Sequence, residues 1–246
     1  MRTSVLLSII ILFTGSYIKA QDIHPPNIDS LRLHNKEAIE KPLIHNPRLQ
    51  YKSIIDGQPM SYGLFINEQR AGEWRVHYQN GQLKKIGQYA KSLKEGEWKT
   101  YYQNGQLKKV GQYAKNLKEG EWKTYYQNGQ LKEVGKYNHN LKEGEWKYYR
   151  FYGMISSRGN YVNDQKEGEW KSYHKNGRLK SIGRYSKGIK EGEWRFYYAN
   201  GHSKGIGTII NGKRHGKWVE YKYDDTFRLV KFTETYNHGI KKVEPQ

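Results

Sequence analysis

The stretch Gly96–Lys108, GEWKTYYQNGQLK, recurs letter for letter at Gly120–Lys132. The spacing that separates the two copies governs the whole chain. All seven tryptophans, Trp74, Trp98, Trp122, Trp146, Trp170, Trp194 and Trp218, lie 24 residues apart without a slip. A constant period of this length is the mark of a repeat architecture. Other positions keep the same beat. Seven residues after the first six Trp comes Gly81, Gly105, Gly129, Gly153, Gly177 or Gly201, preceded by Asn everywhere except Tyr152. An apolar residue (Leu83, Leu107, Leu131, Ile155, Leu179), a second Gly (Gly87 to Gly207) and a Tyr (Tyr89 to Tyr185) follow at fixed offsets.

Asn-Gly between two strand-like runs is a hairpin signal, because a type I′ turn needs positive φ at both central residues. With Asn104-Gly105 at the turn, Tyr102 is expected to face Leu107, Thr100 Lys109, Trp98 Gly111, and Gly96 Tyr113. These side chains share one face, since strand side chains alternate. Glu97, Lys99 and Tyr101 take the other, opposite Gln112, Val110 and Lys108. In this register each strand glycine sits under an aromatic ring, which restores the packing a bare glycine lacks. The other reading of these glycines is that they mark turns. One hairpin is marginal in water, so the units must stack. The fold class expected is all-β: an elongated open antiparallel sheet of stacked 24-residue hairpins. Trp74 to Trp218, with Gly81, Gly105, Gly129, Gly177 and Gly201, are its structural residues.

The run GEWKTYYQNGQLKKVGQY followed by LKEGEW resembles the MORN repeat in its bacterial variant form. The resemblance covers Asp56 to about Tyr223, roughly two thirds of the chain. It implies twisted sheets of successive hairpins that act in scaffolding, protein association or contact with lipid headgroups, and it carries no catalytic residues. Bacterial members are often labelled antitoxin-like. That makes an inhibitor binding a toxin protein the alternative function, although net charge and the N-terminus point away from it.

The ends differ from the array. Residues 1–20 read as a secretory signal: Arg2, the apolar run Val5–Phe13, then a polar segment ending at Ala20. A membrane anchor is the alternative, but the run is well short of the roughly 20 residues a span needs. Residues 21–50 hold four of the six prolines and permit either a short helix from near Ser30 or an unordered lead-in. A degenerate capping repeat occupies 51–70, with Gln50 where Trp is due. The array proper runs over 71–222. A degenerate C-terminal cap and tail, with Asp224-Asp225 in place of Asn-Gly, completes the chain at 223–246.

The formal charge is +19; Arg2 and Lys19 account for two of these, leaving +17 after signal removal. There is no cysteine. Much of the excess is periodic. Arg75, Lys99, Lys123, Lys147, Lys171 and Arg195 follow the first six Trp by one residue. Lys84, Lys108, Lys132, Lys180 and Lys204 follow by ten, and Tyr101, Tyr125, Tyr149, Tyr173 and Tyr197 by three. A basic stripe interleaved with aromatics attracts anions. A solvated face that keeps the sheet soluble has the same composition, and a Glu row (Glu73 to Glu193) partly neutralises the first cation row. No nucleophile, acid–base pair or metal-ligand spacing appears, so neither catalysis, a cofactor nor a metal is expected. Export disfavours nucleic acid. The function expected is a non-catalytic exported scaffold that binds another protein or an anionic envelope lipid or polysaccharide, in the periplasm, at the cell surface or secreted.

Overall fold

The computed structural model describes the backbone of residues 48–52 and residues 61–242 in full. The chain divides into two units, 1–45 and 46–246, and the described residues belong to the second. The expected signal segment and the lead-in up to residue 47 lie outside them.

The described residues form no helix. They make one sheet of seventeen strands: β1 (Arg48–Lys52), β2 (Ser61–Ile66), β3 (Gln69–His77), β4 (Leu83–Ala90), β5 (Leu93–Tyr101), β6 (Leu107–Ala114), β7 (Leu117–Tyr125), β8 (Leu131–Asn138) and β9 (Leu141–Tyr149), then β10 (Ile155–Val162), β11 (Gln165–Tyr173), β12 (Leu179–Ser186), β13 (Ile189–Tyr197), β14 (Ser203–Ile210), β15 (Lys213–Tyr223), β16 (Leu229–Asn237) and β17 (Ile240–Lys241). Each strand pairs antiparallel with the next in sequence. The sheet is therefore an open meander of stacked hairpins.

The expected register holds through most of the hairpin and fails near its turn. Gly96 pairs with Tyr113, Trp98 with Gly111 and Thr100 with Lys109, but Leu107 pairs with Tyr101, not Tyr102. The cause is the turn type. Gly105 has φ 82° while Asn104 does not enter the left-handed region. Tyr102 N donates to Gln106 O at 2.8 Å, and Gly105 N to Tyr102 O at 3.0 Å. This is a three-residue loop closed by a glycine bulge, and it leaves Lys108 as an extra residue in the ladder. The type I′ turns lie at the opposite ends of the strands. Lys115 and Asn116 (φ 48° and 69°), and His139 and Asn140 (50° and 71°), close two-residue hairpins. Left-handed φ at a non-glycine residue is costly, and the preceding unit offsets the cost. Asn116 N donates to Lys94 O at 3.0 Å, Asn116 Oδ1 accepts from Lys94 N at 2.7 Å, and Lys115 N donates to Glu95 Oε1 at 2.9 Å.

The two strand glycines have different reasons. Gly111 lies under a ring, but the ring belongs to Trp122 of the following strand: a Cβ at 111 would sit 2.1 Å from the indole. Gly120, in the Gly-x-Trp position, has φ 62° and open space around it. It supports a bulge, since Gly111 pairs with Trp122 but Gln112 already pairs with Glu119. The carbonyl of Gln112 at this break accepts the Trp122 indole N–H at 3.1 Å. All seven tryptophans repeat this bond to the residue ten positions back, at 3.0–3.2 Å.

These seven rings are 1–5% exposed although, among the described residues, no second layer covers the sheet. Their cover is lateral. From Phe65 to Trp194, Trp and Tyr alternate in edge-to-face contacts with centroids 5.1–6.1 Å apart, an arrangement the ring quadrupole favours. Where Ile209 replaces Tyr, Phe196 stacks between Trp194 and Trp218 at 5.9 and 6.2 Å.

Trp122→Ala is therefore expected to lower stability by about 3–5 kcal/mol, and Gly111→Ala by about 1–3 kcal/mol through overpacking against the same ring. Tyr125→Ala should cost much less. Urea unfolding followed by circular dichroism measures all three, and equal losses for Trp122→Ala and Tyr125→Ala would refute the lateral core.

Candidate binding surface

The first cation row is an ion-pair row. Arg75, Lys99, Lys123, Lys147, Lys171 and Arg195 each meet the Glu two residues back at 2.6–3.1 Å. Hydrogen bonding to these carboxylates raises the pKa of Lys99, Lys123 and Arg195. The pairs are partly exposed, so each adds little stability, but locally they cancel the charge of the row. Tyr101, Tyr125, Tyr149, Tyr173 and Tyr197 are half-buried. The backbone carbonyls of Tyr101, Tyr125 and Tyr149 accept, at 2.8 Å, the hydroxyls of Tyr78, Tyr102 and Tyr126 from the preceding unit.

The second row is different in kind. Lys84, Lys108, Lys132 and Lys204 lie over the rings of Tyr78, Tyr102, Tyr126 and Tyr198 at 5.2–5.6 Å. Among the described residues, neither they nor Lys180 forms an ion pair. All but Lys84 are exposed. The charge of this row is not offset by a paired carboxylate.

Two further rows escaped the sequence reading. Four residues before each Trp stands Arg70, Lys94, Lys118, Lys142, Lys166, Lys190 or Arg214, a basic residue in every unit. Each cation lies over its own Trp at 4.0–5.4 Å. Burial lowers the pKa of the five lysines. These cations roof the aromatic face and are not free for a ligand. One residue on, Glu95, Glu119, Glu143, Glu167 and Glu191 accept a backbone N–H from the next unit's type I′ turn at 2.8–3.1 Å. The signal for both rows was present as the invariant Lys/Arg and recurrent Glu of KEGEW.

Substitutions at the Tyr78 position keep its hydrogen bond. Arg150 Nη2 donates to Tyr173 O, and His174 Nε2 to Tyr197 O, both at 2.8 Å. His174 is thus a packing variant, as its repeat position suggests. His77 is 8% exposed and stacks on Tyr62 with centroids 5.3 Å apart. Burial, with Arg75 nearby, lowers its pKa. No group of three or more potential metal ligands occurs among the described residues.

The turn asparagines act across units. Asn104, Asn128 and Asn176 each accept from the backbone N two residues on and donate to a carbonyl of the next turn at 2.7–3.2 Å. Tyr152 makes neither bond, and it is 85% exposed beside Phe151.

The array consists of MORN repeats of the variant type: the family model for the MORN repeat variant matches residues 70–91, 94–115, 118–139, 166–187 and 190–211. The unmatched internal unit is the one that contains Tyr152. No curated protein matches the chain. Among solved structures, a crystal structure of a GtfA/B complex bound to UDP and GlcNAc aligns at 16% identity over 60% of this chain, with a TM-score of 0.21. This chain spans 27% of that chain's length, and the likeness carries no argument.

Tyr152→Asn should restore both turn hydrogen bonds and raise stability by about 1 kcal/mol, read as a higher urea midpoint. His77 has a folded-state pKa below its unfolded value near 6.5, so the unfolded state binds more protons as pH falls. Its contribution is present above that value and is lost on acidification. The urea midpoint of wild type should therefore fall more between pH 7.5 and 5.5 than that of His77→Tyr.

Proposed function

We propose that this chain of MORN repeats is a non-catalytic, exported scaffold that binds an anionic envelope surface, lipid or polysaccharide, along its uncompensated lysine row. The observation that supports this reading is the contrast between the two rows. One is cancelled by a Glu row. The other places Lys108, Lys132, Lys180 and Lys204 in solvent without a carboxylate partner. Successive units stand two strand spacings apart, about 10 Å, so the row presents charge to an extended anion in such steps, interrupted once at Ser156. Aromatic rings beneath the ammonium groups of Lys108, Lys132 and Lys204 hold these side chains in place. The apolar N-terminal run and Ala20 support export through a cleaved signal.

Attraction between exposed charges is screened over about 10 Å at 0.1 M salt. Co-sedimentation with anionic vesicles and with an acidic polysaccharide should therefore fall steeply across a salt series. Lys84→Gln, Lys108→Gln and Lys132→Gln combined should remove most of the binding. Replacing the ion-paired Lys99, Lys123, Lys147 and Lys171 together should remove less. Equal losses from both sets would contradict the assignment of binding to the second row. N-terminal sequencing of the native protein that found Met1 intact would contradict export.

A further inference from the structure

The described glycines have visible reasons, with one exception. Each has positive φ or lies under a Trp ring that comes within 2.1–2.6 Å of where its Cβ would be, except Gly205. Gly205 pairs with Phe196 of β13 and Glu220 of β15 in the middle of the sheet. A Cβ there would come no closer than 3.6 Å to any atom outside its chain neighbours, and no Phe196 atom lies within 4 Å of it. The Phe196 ring opposite does not demand glycine either, since Tyr148 pairs with Ser157 at the matching position. Other units place Lys85, Lys109, Glu133, Ser157 or Ser181 here, and Lys109 lies over Trp122.

The missing side chain coincides with a groove of 580 Å³ that is lined by Gly205, Phe196, Tyr198, Lys180, Lys204 and Arg214, among others. That volume suits a small ligand. Its acid, Glu220, is held by Arg214 at 2.6 Å and Lys222 at 3.4 Å, whereas Lys180 and Lys204 have no carboxylate partner. The lining combines aromatic rings with cations. The strands beneath are paired on both sides, so an extended peptide cannot dock here by strand addition, and a ligand must lie flat on the sheet face. A pyranose ring with an acidic group has that shape and charge: its C–H face packs on aromatic side chains and its anion meets the lysines.

We propose that this groove binds an acidic sugar, a pyranose bearing a carboxylate or phosphate. The proposal rests on the reading of the array as an anion-binding scaffold and names the unit that recognises a single residue of the ligand. Isothermal calorimetry of the full mature chain with a uronic-acid disaccharide, a hexose phosphate and neutral maltose tests it. One or both acidic sugars should bind one per chain, and maltose should not. Gly205→Lys restores the side chain found in other units. It adds positive charge, so a loss of binding cannot come from lost charge; binding should become undetectable. Lys204→Gln, an exposed change that spares the fold, should weaken binding about tenfold, the effect of one charge-assisted hydrogen bond. Failure of both acidic sugars to bind, equal binding of maltose, more than one site per chain, or unchanged affinity in either variant overturns the proposal. Co-sedimentation of Gly205→Lys with vesicles or polymer should persist, because Lys84, Lys108 and Lys132 lie outside the groove. That persistence separates failure of the groove from failure of the scaffold reading.

Discussion

The structure depends on one contact: an indole ring laid over a glycine of the preceding strand, with its N–H on the carbonyl next to that glycine. At Trp122 this joins Gly111, Gln112 and the bulge at Gly120 in a single arrangement. A Cβ at 111 would exclude the ring. A regular ladder would leave no free carbonyl for the indole, and a non-glycine residue at 120 would strain the bulge. The repeated Gly-x-Trp and the distant Gly are therefore two ends of one interaction between successive strands.

From this follows a core built, among the described residues, without a second layer. Burying an indole removes about 150–250 Å² of surface from water, and at Trp122 the cover comes from Tyr113 of the preceding unit, from Tyr137 of its own unit and from Lys118, the basic residue four places before it. Stacking is thus built into every unit, and stability should accumulate along the array as it does in other repeat proteins. The five lysines of the roof carry depressed pKa values because they are desolvated, and this burial separates them physically from the exposed lysines of the second row.

The same periodicity that builds the core spreads charge over the surface, and the proposed function rests on which charges remain uncompensated. Three kinds of cation row run along the sheet. One roofs the tryptophans, one is paired with Glu, and one is free. Deviations from the period then stand out. Arg150 and His174 preserve a hydrogen bond and need no functional account. Tyr152 gives up two hydrogen bonds, and Gly205 gives up a side chain that its backbone would accept. Local departures without a structural gain are where functional sites are expected.

The sequence by itself determined the all-β class, the 24-residue unit, the hairpin pairing of Trp98 with Gly111, and the sharing of one face by Trp and Tyr. Strand alternation and a fixed period leave few alternatives for these features. It also contained the Glu row that neutralises Lys99 and its equivalents. Tertiary structure alone decided the rest. Asn-Gly suits a type I′ turn as a dipeptide, but here Asn104 is used by the next turn, so the loop closes on Gly105 alone and the I′ geometry moves to Lys115-Asn116. Which tryptophan covers Gly111 depends on side-chain direction between strands that pair on both sides, and pairing alone does not contain that information. The division of identical lysines into roofing, paired and free rows depends on distances across units 24 residues apart, because a cation's role is set by the ring or carboxylate it meets in space.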